Sequence, residues 1–77
     1  MFEEIRAKIA EIMNLDEDMI LPESRLVDDL KADSMDVATL LLELEENYGI
    51  EIDEEDLGNL KSVTDIMGYI EGKKQNA

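Results

Sequence analysis

The sequence contains no cysteine and no histidine, and it has a single proline among its 77 residues. The missing cysteine excludes disulfides and any thiol chemistry by the protein itself, and the two absences together exclude the usual zinc sites. Without histidine, the chain also lacks the side chain that most often performs acid–base catalysis near neutral pH. These absences favour a protein that is not an enzyme and that holds no metal of this kind.

Basic side chains are scarce, because 7 Lys and Arg residues stand against 21 Asp and Glu residues, for a net charge of −14. Such a chain lacks the cationic surface that binds nucleic-acid phosphates or anionic membranes. It is instead expected to attract proteins that carry basic patches. The high charge of one sign also keeps copies apart, so we expect a monomer whose stability rises with salt.

Long apolar runs are absent as well, and no signal peptide is predicted at the start of the chain. We therefore expect a cytoplasmic protein with no membrane insertion. The apolar fraction of 44% argues against a disordered chain, and the length allows one small domain, residues 1–77.

The spacing of apolar residues predicts an all-α protein, a small helical bundle with three main helices, at most one further short helix, and a long loop between the first two helices. Gly49 marks the end of the second helix, and either Ser62 or Thr64 opens the last one. The predicted segments are a helix over 2–13, a loop over 15–32, a helix over 34–48, an extended link over 50–52, one or two helical turns over 53–60, a last helix with apolar residues over 63–70, and a frayed tail over 72–77.

Each predicted segment has its own apolar residues that are expected to face the core. In the second helix one stripe is expected to be buried, with Leu40 on its edge. The stripes and anchors are Phe2, Ile5, Ile9, Ile12 and Met13 in the first helix, Leu15, Ile20, Leu21, Leu26, Val27 and Leu30 in the loop, Val37, Leu41, Leu44 and Tyr48 in the second helix, and Val63, Ile66, Met67 and Ile70 in the last.

Ser34 lies between acids where the second helix begins, in the order Asp33-Ser34-Met35-Asp36. In one interpretation Ser34 is the N-cap of the helix. In the other, Asp33 is the N-cap, Asp36 completes a capping box, and the Ser34 hydroxyl faces solvent at the first helical position. A phosphate attached there would lie beside the positive end of the helix dipole. The residues alone leave both interpretations open.

Met35, Ala38 and Leu42 fall on a face of the second helix that its main stripe does not need. They form either part of a wide buried face or an exposed apolar strip that starts beside Ser34. Residues 32–60 contain ten acids and no Lys or Arg. If the strip is exposed, its acidic surroundings suit a partner with an apolar groove and a basic rim.

The segment from Asp28 to Asp36, DDLKADSMD, resembles the signature of acyl carrier proteins, and the similarity continues through 44–52 and 63–70. The resemblance implies that Ser34 carries 4′-phosphopantetheine, transferred from coenzyme A by a phosphopantetheinyl transferase, with Asp33, Met35 and Asp36 completing the motif. It implies a small four-helix bundle with a short third helix. It also implies a carrier of acyl thioesters for enzymes of fatty-acid or polyketide biosynthesis that have basic patches. The implied partner-binding residues are Met35, Asp36, Ala38, Leu42, Glu45, Glu46 and Asp53, and the implied acyl-chain lining is Leu41, Leu44, Ile52, Leu60, Ile66 and Ile70.

Two positions differ from the usual pattern of the resembled family, which has glycine where Lys31 stands and often an acid where Thr39 stands. These differences leave open a specialised carrier, such as an aminoacyl or D-alanyl carrier. A different class, an unmodified acidic adaptor protein, also stays open. The acidic clusters at 16–18 and 53–56 lack the glycine and terminal glutamate of an EF-hand loop, which leaves at most loose divalent binding.

Overall fold

The structure is a computed structural model that describes residues 1–75. It contains three α-helices, which we name α1 (Phe2–Met13), α2 (Ser34–Tyr48) and α3 (Val63–Gln75). Two short 3₁₀ helices, Glu17–Met19 and Glu54–Asn59, precede α2 and α3. The all-α class, the bounds of the first two helices and the short third helix are therefore confirmed.

The helix ends follow local chemistry. Asn14 ends α1 and Gly49 ends α2 in the left-handed region, with φ of 56° and 64°. At the start of α3, the Asp65 N–H donates to Ser62 Oγ and the Ser62 N–H donates to Asp65 Oδ2, both at 3.1 Å. This reciprocal pair shows that Ser62 opens the last helix. Thr64 instead donates its hydroxyl to the Pro22 carbonyl at 2.7 Å.

The core is a layer of aliphatic side chains between α1, α2, α3 and the long loop. Its most buried members include Ile5 and Ile9 of α1, Leu44 of α2, and Ile66 and Ile70 of α3. Because each helix contributes to the same layer, the bundle depends on all three. The buried hydrophobic residues are Ile5, Ile9, Ile20, Leu26, Leu30, Ala32, Leu40, Leu41, Leu44, Leu60, Val63, Ile66 and Ile70.

The buried face of α2 is wider than the stripe predicted for it. Leu40 is fully buried, whereas Val37 and Tyr48 are only half-buried. The buried face therefore extends beyond the predicted stripe and includes Leu40, which was expected only at its edge. The physical reason is that α2 is covered on two sides: Leu40 lies among the α1 residues Ile9, Ile12 and Met13, while Leu41 faces the chain after α2.

The loop between α1 and α2 is tied to the start of α3. Arg25 and Ser62 form an isolated antiparallel bridge, and the Leu26 N–H donates to the Lys61 carbonyl at 2.9 Å. Ile20, Leu26 and Leu30 are buried as predicted, but Leu21 and Val27 are 50% and 58% exposed, so their assignment as core anchors is wrong. The bridge uses the backbone at 25–26 and turns Val27 outward.

The last helix is longer than predicted, since α3 continues to Gln75 and residues 72–75 are helical. The frayed-tail prediction is wrong for these residues, and 76–77 lie outside the described part. Lys73 Nζ pairs with Asp53 Oδ2 at 3.1 Å, and Lys74 Nζ lies 5.5 Å from the centroid of the Tyr48 ring. These contacts, with two cations near the helix C-terminus, favour the extra turn.

Replacing Lys31 with glycine is expected to stabilise the chain. Lys31 has a φ of 64°, a left-handed conformation that costs a residue with a Cβ atom roughly 1–2 kcal/mol. Glycine removes that cost but adds freedom to the unfolded chain, so Lys31→Gly should raise the free energy of unfolding by about 0.5–1 kcal/mol in urea titrations. Lys61→Gly, at a position without positive φ, is the control and should lower it. Equal changes in both variants would contradict the backbone explanation.

Asp29 is expected to make stability depend on pH. The Arg25 backbone N–H donates to Asp29 Oδ2 at 2.9 Å, and chiefly this bond holds the pKa of Asp29 below its usual 3.8, with the Arg25 side chain adding to the effect and desolvation opposing it. A depressed pKa means that the bond stabilises the fold above pH 3.8 and that the contribution is lost as pH falls through the folded-state pKa.

Urea unfolding at a series of pH values tests this expectation. Asp29→Asn should be less stable than Asp28→Asn at neutral pH, and the difference should fade below pH 3.8. Asp28 is the matched control because its carboxylate lies 3.6 Å from Arg25 Nη1 and accepts no backbone N–H of Arg25. A difference that stays constant down to acid pH would refute the role of the charged carboxylate.

Candidate functional site

The start of α2 is organised by a capping box. The Asp36 N–H donates to Asp33 Oδ1 at 2.9 Å, and the Asp33 N–H donates to Asp36 Oδ2 at 3.3 Å. Asp33 has the extended backbone of an N-cap residue, and Ser34 is the first residue of the helix. The second interpretation of the motif is confirmed, and the assignment of Ser34 as the N-cap is wrong.

The Ser34 hydroxyl differs from those of the two other serines in the chain. Ser24 Oγ accepts the Leu21 N–H at 2.9 Å, and Ser62 Oγ accepts the Asp65 N–H at 3.1 Å. Ser34 is exposed, and within residues 1–75 its hydroxyl makes no hydrogen bond. The helix therefore places this hydroxyl in solvent without giving it a structural task.

Two carboxylates flank Ser34 in the sequence, and both take part in the capping box. The nearest carboxylates in sequence, Asp33 and Asp36, already accept backbone N–H groups in the capping box. The sequence has no histidine to act as a base.

An apolar groove begins at Ser34 and follows α2. Its volume is about 530 Å³. From Ser34 to Glu45 the helix rises roughly 16 Å at about 1.5 Å per residue, so the groove spans three turns. Across from α2, the wall is formed by Val27, Ile52 and Leu57. The complete lining is Val27, Ser34, Val37, Ala38, Leu41, Leu42, Glu45, Ile52 and Leu57.

The predicted apolar strip on α2 is exposed. Met35 and Leu42 are 76% and 60% exposed, and Ala38 between them is exposed too. Ala38 and Leu42 also border the groove, so strip and groove share one edge. The interpretation of a wholly buried face is wrong for these three positions.

The predicted acidic residues are placed differently from one another. Glu46 is exposed, while Glu45 Oε2 accepts the Ile52 N–H at 2.7 Å and so ties the link after α2 to the helix. Asp53 pairs with Lys73, and Asp36 serves the capping box. Three of the four acids therefore have a structural task in addition to their charge.

Of the residues predicted to line an acyl chain, only Leu41 and Ile52 border the groove at Ser34. Leu44, Ile66 and Ile70 are sealed in the core, and Leu60 borders a second groove. The sequence analysis missed Val27, Val37 and Leu57 as lining. Their apolar character was visible, but the loop and the 3₁₀ helix that bring Val27 and Leu57 together are distant in sequence.

None of the helices within residues 1–75 has the length and apolar character needed to cross a bilayer.

Comparisons with known proteins agree with this site. The family described as "Phosphopantetheine attachment site" matches residues 3–70. Acyl carrier proteins of Helicobacter hepaticus and Helicobacter pylori strain G27 are 42% and 45% identical over 73 and 74 residues, covering 95% and 96% of this chain and 96% and 95% of theirs. That of Thermotoga maritima is 38% identical over 72 residues, covering 94% of this chain and 89% of its own.

A solved structure is similar over nearly the whole chain. The solution structure of a proposed acyl carrier protein from Anaplasma phagocytophilum has a TM-score of 0.84 at 25% identity, covering 99% of this chain and 88% of that one. The similarity thus extends from the attachment motif to the arrangement of the helices. The chain belongs to the acyl carrier proteins, the family defined by a phosphopantetheine attachment site.

Proposed function

We propose that the chain carries acyl groups as thioesters on a 4′-phosphopantetheine arm attached to Ser34. The carrier role and the cofactor follow from the family. One observation supports the attachment residue: of the three serines, Ser24 and Ser62 use their hydroxyls to accept backbone N–H groups, and Ser34 presents its own to solvent.

The residues around Ser34 fit a phosphate-linked arm. Ser34 Oγ forms the bond to phosphorus, the pyrophosphate bond of coenzyme A breaks, adenosine 3′,5′-bisphosphate leaves, and the serine proton passes to a base of the transferase. Because Asp33 caps the helix, the hydroxyl is free for this reaction without loss of helix stability. When bound, the arm supplies the thiol that the sequence lacks.

The groove along α2 is proposed to shelter the acyl group. It begins at Ser34, and its walls are apolar except for Ser34 and Glu45. Burying each methylene of a fatty chain there is worth about 0.8 kcal/mol. Leu41 and Ile52 keep their predicted role as lining, whereas the core positions Leu44, Ile66 and Ile70 are better placed to support the groove from behind.

The exposed strip of Met35, Ala38 and Leu42 is proposed to contact partner enzymes. Glu46 and the further acids Asp36, Glu45 and Asp53 give this side a negative field, which fits a phosphopantetheinyl transferase and acyl-processing enzymes with basic patches. In this proposal the chain is a monomeric cytoplasmic carrier that binds no nucleic acid and catalyses no reaction. Its partners are enzymes of fatty-acid or polyketide synthesis.

Intact-mass measurement tests the function directly. The purified chain is incubated with coenzyme A, magnesium and a broad-specificity transferase, beside a carrier known to be modified. We expect a mass gain of one phosphopantetheine, and fragmentation should place it on the peptide with Ser34 rather than those with Ser24 or Ser62. A gain on another residue overturns the assignment. No gain in either wild type or Lys31→Gly, with the control carrier modified, favours an unmodified adaptor.

A further inference from the structure

Leu57 borders two open grooves on the surface. The first is the groove along α2, and the second, of about 350 Å³, lies between residues 25–28 and 57–61. Val27, Val37 and Leu57 border both. Val27 and Val37 come from the loop before α2 and its first turn, so the shared wall lies near the end of the groove that holds Ser34.

The 3₁₀ helix that carries Leu57 has no anchor of its own in the core. None of its residues, Glu54–Asn59, is buried, and Leu57 itself is 43% exposed. A segment with so little buried apolar surface is expected to belong to the least stable part of a fold. The position of Leu57 therefore depends on polar contacts on either side of it.

On the N-terminal side of Leu57, those contacts are made between Tyr69 and Lys73 of α3 and the acids that precede Leu57 in the sequence. The Tyr69 hydroxyl donates to Asp56 Oδ2 at 2.7 Å and accepts the Asp53 N–H at 3.1 Å. Lys73 Nζ lies 3.1 Å from Asp53 Oδ2 and 5.4 Å from the centroid of the Tyr69 ring. We name these four residues the tyrosine clamp. After Leu57, the chain is held by the Leu26 N–H to Lys61 carbonyl bond.

We propose that Leu57 determines the size of acyl group that the chain accommodates, and that Tyr69 is the positioning residue that holds Leu57 in place. The inference rests on the proposed acyl-carrier function of Ser34. An acyl chain that enters from the Ser34 end lies against Leu57, which confines it to the groove along α2. Removing the Leu57 side chain joins the two grooves. A longer acyl chain can then bury more of its length against apolar side chains.

The direct test uses Leu57→Ala and wild type, each loaded with hexanoyl, octanoyl, decanoyl, dodecanoyl or tetradecanoyl groups. The readout is the midpoint of thermal unfolding relative to the same protein with an unacylated arm. We expect short acyl groups to raise the midpoint of Leu57→Ala less than that of wild type. We also expect the acyl group that raises the midpoint most to be longer in Leu57→Ala than in wild type. Each additional methylene that becomes buried in the groove should shift the equilibrium between folded and unfolded protein about fourfold toward the folded state.

Leu21→Ala is the matched control, because Leu21 is 50% exposed and borders neither groove. The dependence of its unfolding midpoint on acyl-chain length, the length profile, should match that of wild type. A purely structural role of Leu57 would lower all midpoints equally and leave the profile unchanged, which would overturn the proposal. If wild type cannot be loaded, the proposed function itself fails, whereas a loaded wild type with the same profile as Leu57→Ala overturns only this inference.

Tyr69→Phe tests the positioning residue without any cargo. The change keeps the ring beside Lys73 but removes both hydrogen bonds, so amides of residues 54–59 should exchange with deuterium roughly tenfold faster in the unmodified chain. Tyr48→Phe, which removes one bond to Glu4 Oε1 at 3.2 Å and none to residues 53–59, should leave these amides unchanged. Equal exchange in wild type and Tyr69→Phe would overturn the role of Tyr69.

Discussion

Ser34→Ala is expected to remain at the unmodified mass under conditions that convert the wild type completely. The alanine has no oxygen to bond to phosphorus, so the loss is total rather than partial. Stability should stay within about 0.5 kcal/mol of wild type, because the Ser34 hydroxyl makes no hydrogen bond within residues 1–75 and Asp33 retains the cap. Loss of modification without loss of fold is the diagnostic result.

The measurement is intact mass after transferase treatment, paired with urea unfolding of the same samples. Ser62→Ala is the matched control, since this serine caps α3. It should lose about 1 kcal/mol of stability yet gain the full mass of the arm. A Ser34→Ala protein that still gains mass, or one that unfolds, would show that the hydroxyl at the start of α2 has been assigned the wrong role.

Leu44→Ala is expected to lower the free energy of unfolding more than any other variant described above. Leu44 is 0% exposed and lies in the core formed by all three α-helices. Truncating a leucine in such a position typically costs about 3 kcal/mol or more, through lost burial and the cavity left behind. A domain of this size has only about 5 kcal/mol of stability in total. About 2 kcal/mol or less would then remain, so roughly 3% or more of the molecules are expected to be unfolded even without denaturant.

Circular dichroism at increasing urea concentrations measures this effect. Leu42→Ala provides the comparison, because it makes the same chemical change two residues away at a position that is 60% exposed. It should change the free energy of unfolding by less than about 0.5 kcal/mol. If the two variants were equally stable, the core assignment of α2 would be wrong.

Local sequence patterns predicted the helices and the capping box because both depend on neighbours in the chain. Apolar spacing of three and four residues placed α1 and α2, and Gly49 marked the end of α2. The angle between the main stripe and Met35, Ala38 and Leu42 separated these residues from the stripe, but only the structure shows that they are exposed. The spacing of Asp33 and Asp36 allowed a capping box, but the residues alone left open whether Asp33 or Ser34 is the N-cap, and the structure decides for Asp33.

The walls of the groove were not predictable in this way. Val27 and Leu57 are brought together by the Arg25–Ser62 bridge and the tyrosine clamp, which join segments far apart in sequence. The burial of Leu40 depended on how α1 packs across α2, which no periodicity within α2 can reveal. The extra turn of α3 depended on contacts of Lys73 and Lys74 with the Asp53 and Tyr48 side chains.

The separation of the groove from the sealed core has a kinetic consequence. Leu44, Ile66 and Ile70 are closed off, while the groove proposed to hold the acyl group lies outside them and is bordered by exposed side chains such as Leu42 and Leu57. A bound chain can then leave by rotation of a few exposed side chains, which takes picoseconds to nanoseconds, rather than by breathing of the bundle, which is far slower. The rate of acyl-group delivery would then be limited by the receiving enzyme and not by release from the carrier.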